Sequence, residues 1–170
     1  MGIRHFMIAG AIASAAVPAA AVPVPATTDA GGRATILVPL TLTKIDDLDF
    51  GTMISTSSSG TVSLDATTSN RLFAGGLTGV SSAAGHRAYF GGAGTPSQQV
   101  IVTINPPATL SDGNGNTIIV LALTQDGSPI RSIDPATRTF FVGVGGILML
   151  NANQPDGLYS ANFSVTAQYQ

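Results

Sequence analysis

Few residues of this chain belong to the types that carry out catalysis or bind metals. The 170 residues include no Cys and two His, one of which is His5. A zinc, copper or non-haem iron site needs several such ligands. A Ser–His–Asp triad would need His86, but no Ser of the chain lies in a G-x-S-x-G elbow. The sequence therefore predicts no catalytic residue, no metal site and no cofactor, and a protein that is not an enzyme.

Two acidic residues have the spacing of a general acid and base. Asp47 and Asp49 lie two positions apart, so on a strand their side chains would share a face, as a general acid and base do. The chain has no Trp that would stack on a sugar ring. We interpret Asp47 and Asp49 as part of a turn or of a solvated strand entry.

The loop from Asp112 to Asn116 resembles the beginning of a calcium loop, with side-chain oxygens at its first, third and fifth positions. Thr117 stands where such a loop needs Gly, and Leu123 stands where it needs a bidentate Glu. We interpret the segment as a hairpin connection, with Asn114-Gly115 as a type I′ turn.

The composition favours a β protein that does not bind nucleic acid. Glu is absent and Lys44 is the only Lys, while Val, Ile and Thr are common and there are 20 Gly and 10 Pro. With 44% hydrophobic residues the chain is too apolar for intrinsic disorder. Its 7 Lys and Arg are scattered and its net charge is -2, which argues against a polyanionic partner.

The first 21 residues have the pattern of a cleaved signal peptide. Arg4 precedes the uncharged run Phe6–Val17, and Ala19–Ala21 supplies small residues at the cleavage positions. We predict that residues 1–21 are removed, that the mature chain starts at Val22 and that it is exported. The alternative is a transmembrane anchor, but prolines interrupt the apolar run, so we expect no transmembrane segment after cleavage.

Residues 22–33 form a Pro-, Thr- and Gly-rich segment that we predict to be a flexible lead, and residues 34–170 a single domain. Four apolar residues alternate with other residues between Ala34 and Thr43, which predicts a strand with one buried face: Ile36, Val38, Leu40 and Leu42. Pro39 lacks a backbone donor, so we expect this strand at a sheet edge.

Period-two patterns separated by turn residues predict an all-β fold, a β-sandwich of about seven to nine strands. The strongest predicted strands are Gln99–Ile104, Asn116–Thr124 and Thr137–Asn151, the last with glycines that suggest a bend. The tract Ser55–Gly60 is predicted to interrupt the chain before a strand that starts at Thr61. The period predicts a core that includes Phe50, Val100, Val102, Ile104, Val120, Phe163 and Val165.

The C-terminal segment shows the clearest alternation. From Tyr159 to Tyr169 the odd positions are apolar or aromatic and the even positions are polar, which predicts a last strand from Gly157 with one buried face. We expect no later strand to cover this one, and large apolar side chains at a strand edge need a neighbour.

These residues carry a family resemblance. Gly157, fourteen residues from the end, and the penultimate Tyr169 resemble the ending of chaperone–usher pilus subunits of Gram-negative bacteria, and Leu48-x-Phe50-Gly51 is similar to a signature of their early strand. More closely, residues 34–170 resemble an uncharacterised family of small exported bacterial domains with a domain-of-unknown-function label. The marks of that resemblance are Pro39–Thr43, Asp47–Gly51, and Asn151–Gln154 running into Gly157-Leu-Tyr159.

The resemblance implies an immunoglobulin-like, pilin-like sandwich that lacks its final strand. In pilins the N-terminal extension of the next subunit supplies that strand. It thus implies a pilus or fimbria subunit that self-associates in the periplasm, on the cell surface or in an extracellular fibre, with a periplasmic chaperone and an outer-membrane usher as partners. Its donor strand would be Ile36, Val38, Leu40 and Leu42, and its acceptor edge Gly157, Tyr159, Phe163, Val165 and Tyr169.

An alternative interpretation stays open at this point. Only one predicted strand precedes Phe50-Gly51, so the segment Ala34–Thr43 is also readable as the first strand of its own domain. The protein would then be a monomeric secreted or cell-surface binding module of unknown ligand.

Overall fold

The computed structural model describes residues 28–170, so the predicted signal peptide, its cleavage before Val22 and the first part of the lead lie outside the described residues. The described part contains no helix and ten strands. The strands are β1 (Thr41–Asp46), β2 (Met53–Leu64), β3 (Arg71–Gly79), β4 (Ala88–Ala93), β5 (Gln99–Asn105), β6 (Thr109–Ser111), β7 (Thr117–Gln125), β8 (Ile130–Ser132), β9 (Thr139–Leu150) and β10 (Ser164–Tyr169).

The strands form two antiparallel sheets. In the seven-stranded sheet the order is β1-β4-β9-β2-β3, with β7 joined through β9 and β6 beyond it. The three-stranded sheet has the order β10-β5-β8. The predicted all-β sandwich is therefore confirmed, and the short strands β6 and β8 are additional to the strands expected from the sequence.

β9 is the strand around which the larger sheet is organised. Its residues Thr139–Val144 pair with β4 and its residues Gly146–Leu150 pair with β2. A Cβ at Gly145 would clash with the backbone of Leu64, so glycine allows the close approach of backbones where the partner strand changes. The glycines for which the sequence predicted a bend lie at this change of partner.

The core consists of two groups of buried apolar side chains. The first group joins Val100 and Val102 of the smaller sheet to β4 and β9 of the larger sheet, and the second surrounds Leu64 and Leu148 on the larger sheet. Phe50, Val100 and Val102 are buried as predicted. Four other predicted core residues face the core but are only half-buried: Ile104, Val120, Phe163 and Val165. The predicted register is right, and the incomplete burial shows where the sandwich is uncovered.

Three strand boundaries differ from the predictions. The first strand begins at Thr41, not Ala34, because the preceding residues have no strand partner. The tract Ser55–Gly60 lies inside β2, because its extra residues form a bulge while pairing with β3 continues on both sides. The last strand begins at Ser164, not Gly157, because Ser160 pairs with Ser111 of the larger sheet instead.

Residues Ile36–Gln170 form one compact unit. Residues 28–35 are exposed and belong to no strand. Among the described residues no helix is long and apolar enough to cross a membrane. β1 lies at a sheet edge, as predicted for this segment.

Candidate functional site: a slot between β1 and β10

β10 pairs along only one of its edges within residues 28–170. Its residues Ser164–Tyr169 pair with β5, and the Gln170 N–H donates to the Gln99 carbonyl at 3.0 Å. Bonding direction alternates along an antiparallel strand. The backbone groups of Val165, Ala167 and Tyr169 therefore point away from β5, along an edge without a β-partner.

β1 has an unpaired edge of the same kind. The Gly94 N–H donates to the Arg138 carbonyl on the β9 side, so Ala93 bonds in the opposite direction, toward Thr41 of β1. By the same alternation the backbone groups of Leu42 point away from β4. No described strand pairs with this edge.

The unpaired edges of β1 and β10 border a gap that we call the slot. Leu42 from β1, and Val165 and Ala167 from β10, pack against the same core group and are each half-buried. Both walls thus turn backbone donors and acceptors toward the gap and place alternate apolar side chains beneath it. This is the arrangement found around a missing strand of a sandwich.

Hydrogen bonds close one end of the slot. The Tyr169 hydroxyl donates to the Val38 carbonyl at 2.7 Å and accepts from the Thr95 N–H at 2.8 Å. The Val38 N–H donates to Thr95 Oγ1 at 2.7 Å. We call these three residues the Tyr169 clasp. The clasp ties the end of β10 to the residues that precede β1.

Beyond the other end of the slot lies an apolar cleft of about 740 Å³. The cleft lies where β1 has ended and β10 has not begun, between Leu48 and Phe163, and Leu148 and Leu150 of the larger sheet contribute to its lining. The smaller sheet does not cover this region, because residues 161–163 belong to no strand. The volume is in the range of small-molecule binding sites.

Polar side chains link the two sheets elsewhere in the sandwich. Gln125 Nε2, from β7, donates to the Val102 carbonyl of β5 at 3.0 Å. Arg131 of β8 pairs with Asp126 at 2.6 Å, and both side chains are mostly buried. Within residues 28–170 no such contact bridges the slot between its clasp and its cleft, which makes this the open side of the sandwich.

The Leu48-x-Phe50-Gly51 element forms part of the cleft wall. Gly51 has φ +70°, and a Cβ at this position would clash with the Ala83 carbonyl. Arg71 Nη1 donates to the Phe50 carbonyl at 2.9 Å, and Arg71 Nη2 donates to the Val80 carbonyl at 3.0 Å. The motif therefore fixes the chain where it passes from β1 to β2 and directs Phe50 into the core.

A hydrogen-bonded loop holds the opposite wall of the cleft. Gln154 Nε2 donates to the Tyr159 hydroxyl at 3.0 Å and to the Thr117 carbonyl at 3.2 Å, and Tyr159 donates to the Pro155 carbonyl at 2.8 Å. Ser55 Oγ donates to the Gln154 carbonyl at 3.1 Å. Gln154 and Tyr159 thus position the segment that leads into β10, whereas Gly157 is exposed and lies outside the strand.

The residues considered for catalysis make only local contacts among the described residues. Asp47 accepts from Lys44 Nζ at 2.6 Å, and Asp49 Oδ1 accepts from the Gly51 N–H at 2.7 Å. His86 is exposed and pairs with Asp49 through the backbone. Among the described residues no group of three or more His, Cys, Asp or Glu could hold a metal ion.

The loop that resembles a calcium loop connects β6 to β7, so the predicted hairpin is present. Asp112 Oδ1 accepts from the N–H groups of Asn114 and Asn116, and Asp112 Oδ2 accepts from Asn116 Nδ2 at 2.6 Å. These bonds, the side-chain bond from Asn116 above all, lower the pKa of Asp112. The type I′ assignment is wrong: Gly113 and Gly115 have positive φ, and Asn114 does not.

The four predicted donor residues fall into two pairs. Leu40 and Leu42 pack half-buried against the core of their own domain. Ile36 and Val38 lie outside the strands and are 93% and 53% exposed. We therefore assign Leu40 and Leu42 to a wall of the slot, and a donor role for Ile36 or Val38 stays a prediction.

The sequence patterns did not reveal two parts of the site. Thr95 belongs to a Gly-rich link without periodicity, and only its contacts with Val38 and Tyr169 show its place in the clasp. The cleft draws residues from segments far apart in the chain. Its only signals in the sequence were Leu48-x-Phe50-Gly51 and the segment Asn151–Tyr159.

Comparison with protein families matches residues 40–169 to the family described as Domain of unknown function (DUF4402). The chain belongs to this family. The predicted membership of an uncharacterised family is thus confirmed, and the DUF4402 match runs from Leu40 to Tyr169, so it spans both walls of the slot. Comparisons with curated proteins and with solved structures found no match. The likeness to pilus subunits has no support from these comparisons.

Proposed function

We propose that this DUF4402 protein is an exported structural subunit of a pilus-like or fimbria-like surface fibre. A strand from a second copy would complete its sandwich between β1 and β10. The observation that carries the proposal is the slot, with two unpaired strand edges above half-buried apolar side chains.

Insertion of a strand would give hydrogen-bond partners to the free backbone groups of both β1 and β10. The backbone groups of Val165, Ala167 and Tyr169 would gain partners, each bond contributing about 0.5–1.5 kcal/mol net. Each large apolar side chain that is fully buried on insertion contributes about 1.5–3 kcal/mol. An unfilled slot is also a site for incorrect strand pairing, which fits the predicted need for a periplasmic chaperone before assembly at an outer-membrane usher.

The test is the assembly state of the exported protein. We expect unheated samples to give a ladder on denaturing gels, and electron microscopy to show thin fibres, because a strand inserted between two edges dissociates slowly. Heating should collapse the ladder to one band. A single monomer peak at every concentration would overturn the proposal.

A second candidate function is favoured by the cleft. Its volume of about 740 Å³ and its apolar lining suit a monomeric secreted binding module for an apolar ligand. A monomeric protein that takes up an apolar fluorescent dye, and loses that uptake on Leu48→Asp substitution, would establish this function instead. Fibre formation by the exported protein would favour the fibre subunit over the binding module.

A further inference from the structure

The chain that precedes β1 leaves the domain at the clasp end of the slot. β1 begins beside the Tyr169 clasp and runs toward the cleft. Val38 is held through both backbone groups, its N–H by Thr95 and its C=O by Tyr169. Because Thr95 lies beyond the last residue of β4, Val38 continues the line of β1 past the slot and does not turn back into it.

An exposed segment with one suitable face precedes the clasp. Ile36 is 93% exposed and contributes nothing to the core of its own domain. In an extended conformation Ile36 shares a face with three smaller residues, Ala34, Gly32 and Ala30. Arg33 and Thr35 occupy the other face. One large side chain therefore follows a row of small ones.

The two ends of the slot differ. Beyond one end lies the cleft, between Leu48 and Phe163. At the clasp end, the side chains of Leu40 and Tyr169 both reach Gly94. Seven residues in an extended conformation span about 23 Å. The segment from Ala30 to Ile36 has the same number of residues as the acceptor edge from Phe163 to Tyr169.

We propose that Ala30–Ile36 of one copy fills the slot of the next, antiparallel to β10, with Ile36 in the cleft. This inference rests on the proposed function and names the occupant of the slot. The register places Ile36 opposite Phe163 and Ala34 opposite Val165. The segment leaves its own domain at the clasp and enters the next domain at the cleft, so the contact joins opposite ends of two copies and forms an open chain, not a closed dimer.

The Tyr169 clasp sets this polarity. With Val38 bound to Thr95 and Tyr169, the chain is fixed at the clasp end of its own slot, so in this proposal the segment before it fills the slot of a neighbour. Removal of the Tyr169 hydroxyl takes away one of the two hydrogen bonds that hold Val38, the bond to its carbonyl, and would make it easier for the preceding segment to fold back. Tyr169→Phe is therefore expected to increase the monomeric fraction, whereas Tyr89→Phe, on another strand, should leave assembly unchanged.

A cross-linking experiment tests the occupant directly, because the chain contains no Cys. Facing residues of an antiparallel pair have Cα atoms about 4.5–5.5 Å apart, a separation that a disulfide spans. Exported Ala34→Cys protein is mixed with Val165→Cys protein, depolymerised, reassembled and oxidised. We expect a disulfide-linked dimer of the two variants. Leu72→Cys replaces Val165→Cys in the control and should give no dimer.

A second variant tests the role of Ile36. Ile36→Asp should fold normally, since Ile36 is 93% exposed, but reduce assembly by at least about tenfold, which corresponds to about 1.4 kcal/mol. Leu72→Asp, at a position 73% exposed on β3, is the matched control and should assemble normally.

The outcomes separate the two proposals. Fibres from the unmodified protein, together with normal assembly of Ile36→Asp and no cross-link between Ala34→Cys and Val165→Cys, would overturn the inference and leave the fibre function standing. No assembly of the unmodified protein would overturn both.

Discussion

Gly51 holds a backbone conformation that other residues rarely adopt, at the point where the cleft wall meets the core. Its φ is +70°, and the space that a Cβ would need is occupied by the backbone of Ala83 and Ala84. Arg71 holds the neighbouring carbonyls in place. The Leu48-x-Phe50-Gly51 element thus has a physical reason for its glycine, independent of any resemblance.

Gly51→Ala should destabilise the domain more than the same change at Gly113. Gly113 also has a positive φ, +79°, but a Cβ there meets nothing within 4 Å. We expect about 1–2 kcal/mol from left-handed strain for Gly113→Ala, and about 1–3 kcal/mol more for Gly51→Ala because of the clash. Urea unfolding of both variants measures the difference. Equal losses would show that the backbone of Ala83 and Ala84 moves aside freely.

At the scale of elements, aspartates hold the connections between strands. Between β2 and β3, backbone and side-chain hydrogen bonds from Thr68, and a backbone bond from Thr67, hold the pKa of Asp65 below its usual value. Between β8 and β9, backbone bonds from Thr137 and Ala136 lower the pKa of Asp134. These turns are therefore strongest when both carboxylates are charged.

The lowered pKa values predict a loss of stability in acid. Above about pH 5, which is well above the ordinary pKa of Asp of about 4, both carboxylates are ionised in the folded and unfolded states, and their contribution to stability is complete. As the pH falls further, the unfolded chain binds protons first, so the free energy of unfolding decreases until the folded pKa is passed.

Asp65→Asn and Asp134→Asn should each reduce the change in the free energy of unfolding between pH 6 and pH 2, as measured by urea unfolding. Asp29→Asn, outside the strands, is the control and should follow the unmodified protein. The prediction would be contradicted if the free energy of unfolding of both turn variants fell with pH as steeply as that of the unmodified protein.

The sequence predicted strands best where the apolar pattern had a single interpretation. β5, β7 and β9 carry strong apolar runs bounded by turn residues, and they lie within one or two residues of the predicted bounds. The alternation at Leu40 and Leu42 fits a strand of this domain as well as one given to a neighbour, so only the pairing of β1 with β4 could decide. The bulge in β2 was missed because its serines and glycine have the composition of a loop.

At the scale of the whole molecule, the sandwich is asymmetric. The Gln125–Val102 and Arg131–Asp126 contacts lie on one side of it, while among the described residues no side-chain hydrogen bond joins β1 to β10 between the clasp and the cleft. Phe163, at the boundary of the gap, is half-buried. Replacement of a fully buried Phe by Ala typically lowers the free energy of unfolding by about 3–5 kcal/mol. For Phe163→Ala in the single domain we expect a smaller loss, which urea unfolding would measure.

The alternating backbone of β10 also divides its amides into two classes of hydrogen exchange. The N–H groups of Thr166 and Gln168 face β5, and we expect slow exchange from them, whereas those of Val165, Ala167 and Tyr169 face the slot and should exchange within the dead time of a native-state experiment. Residue-resolved exchange would therefore show fast and slow amides in strict alternation along a single strand. Filling of the slot should slow exchange of the odd-numbered amides and leave the even-numbered ones nearly unchanged, so these five amides would report whether the slot is filled. Uniform exchange along β10 before assembly would contradict the free edge.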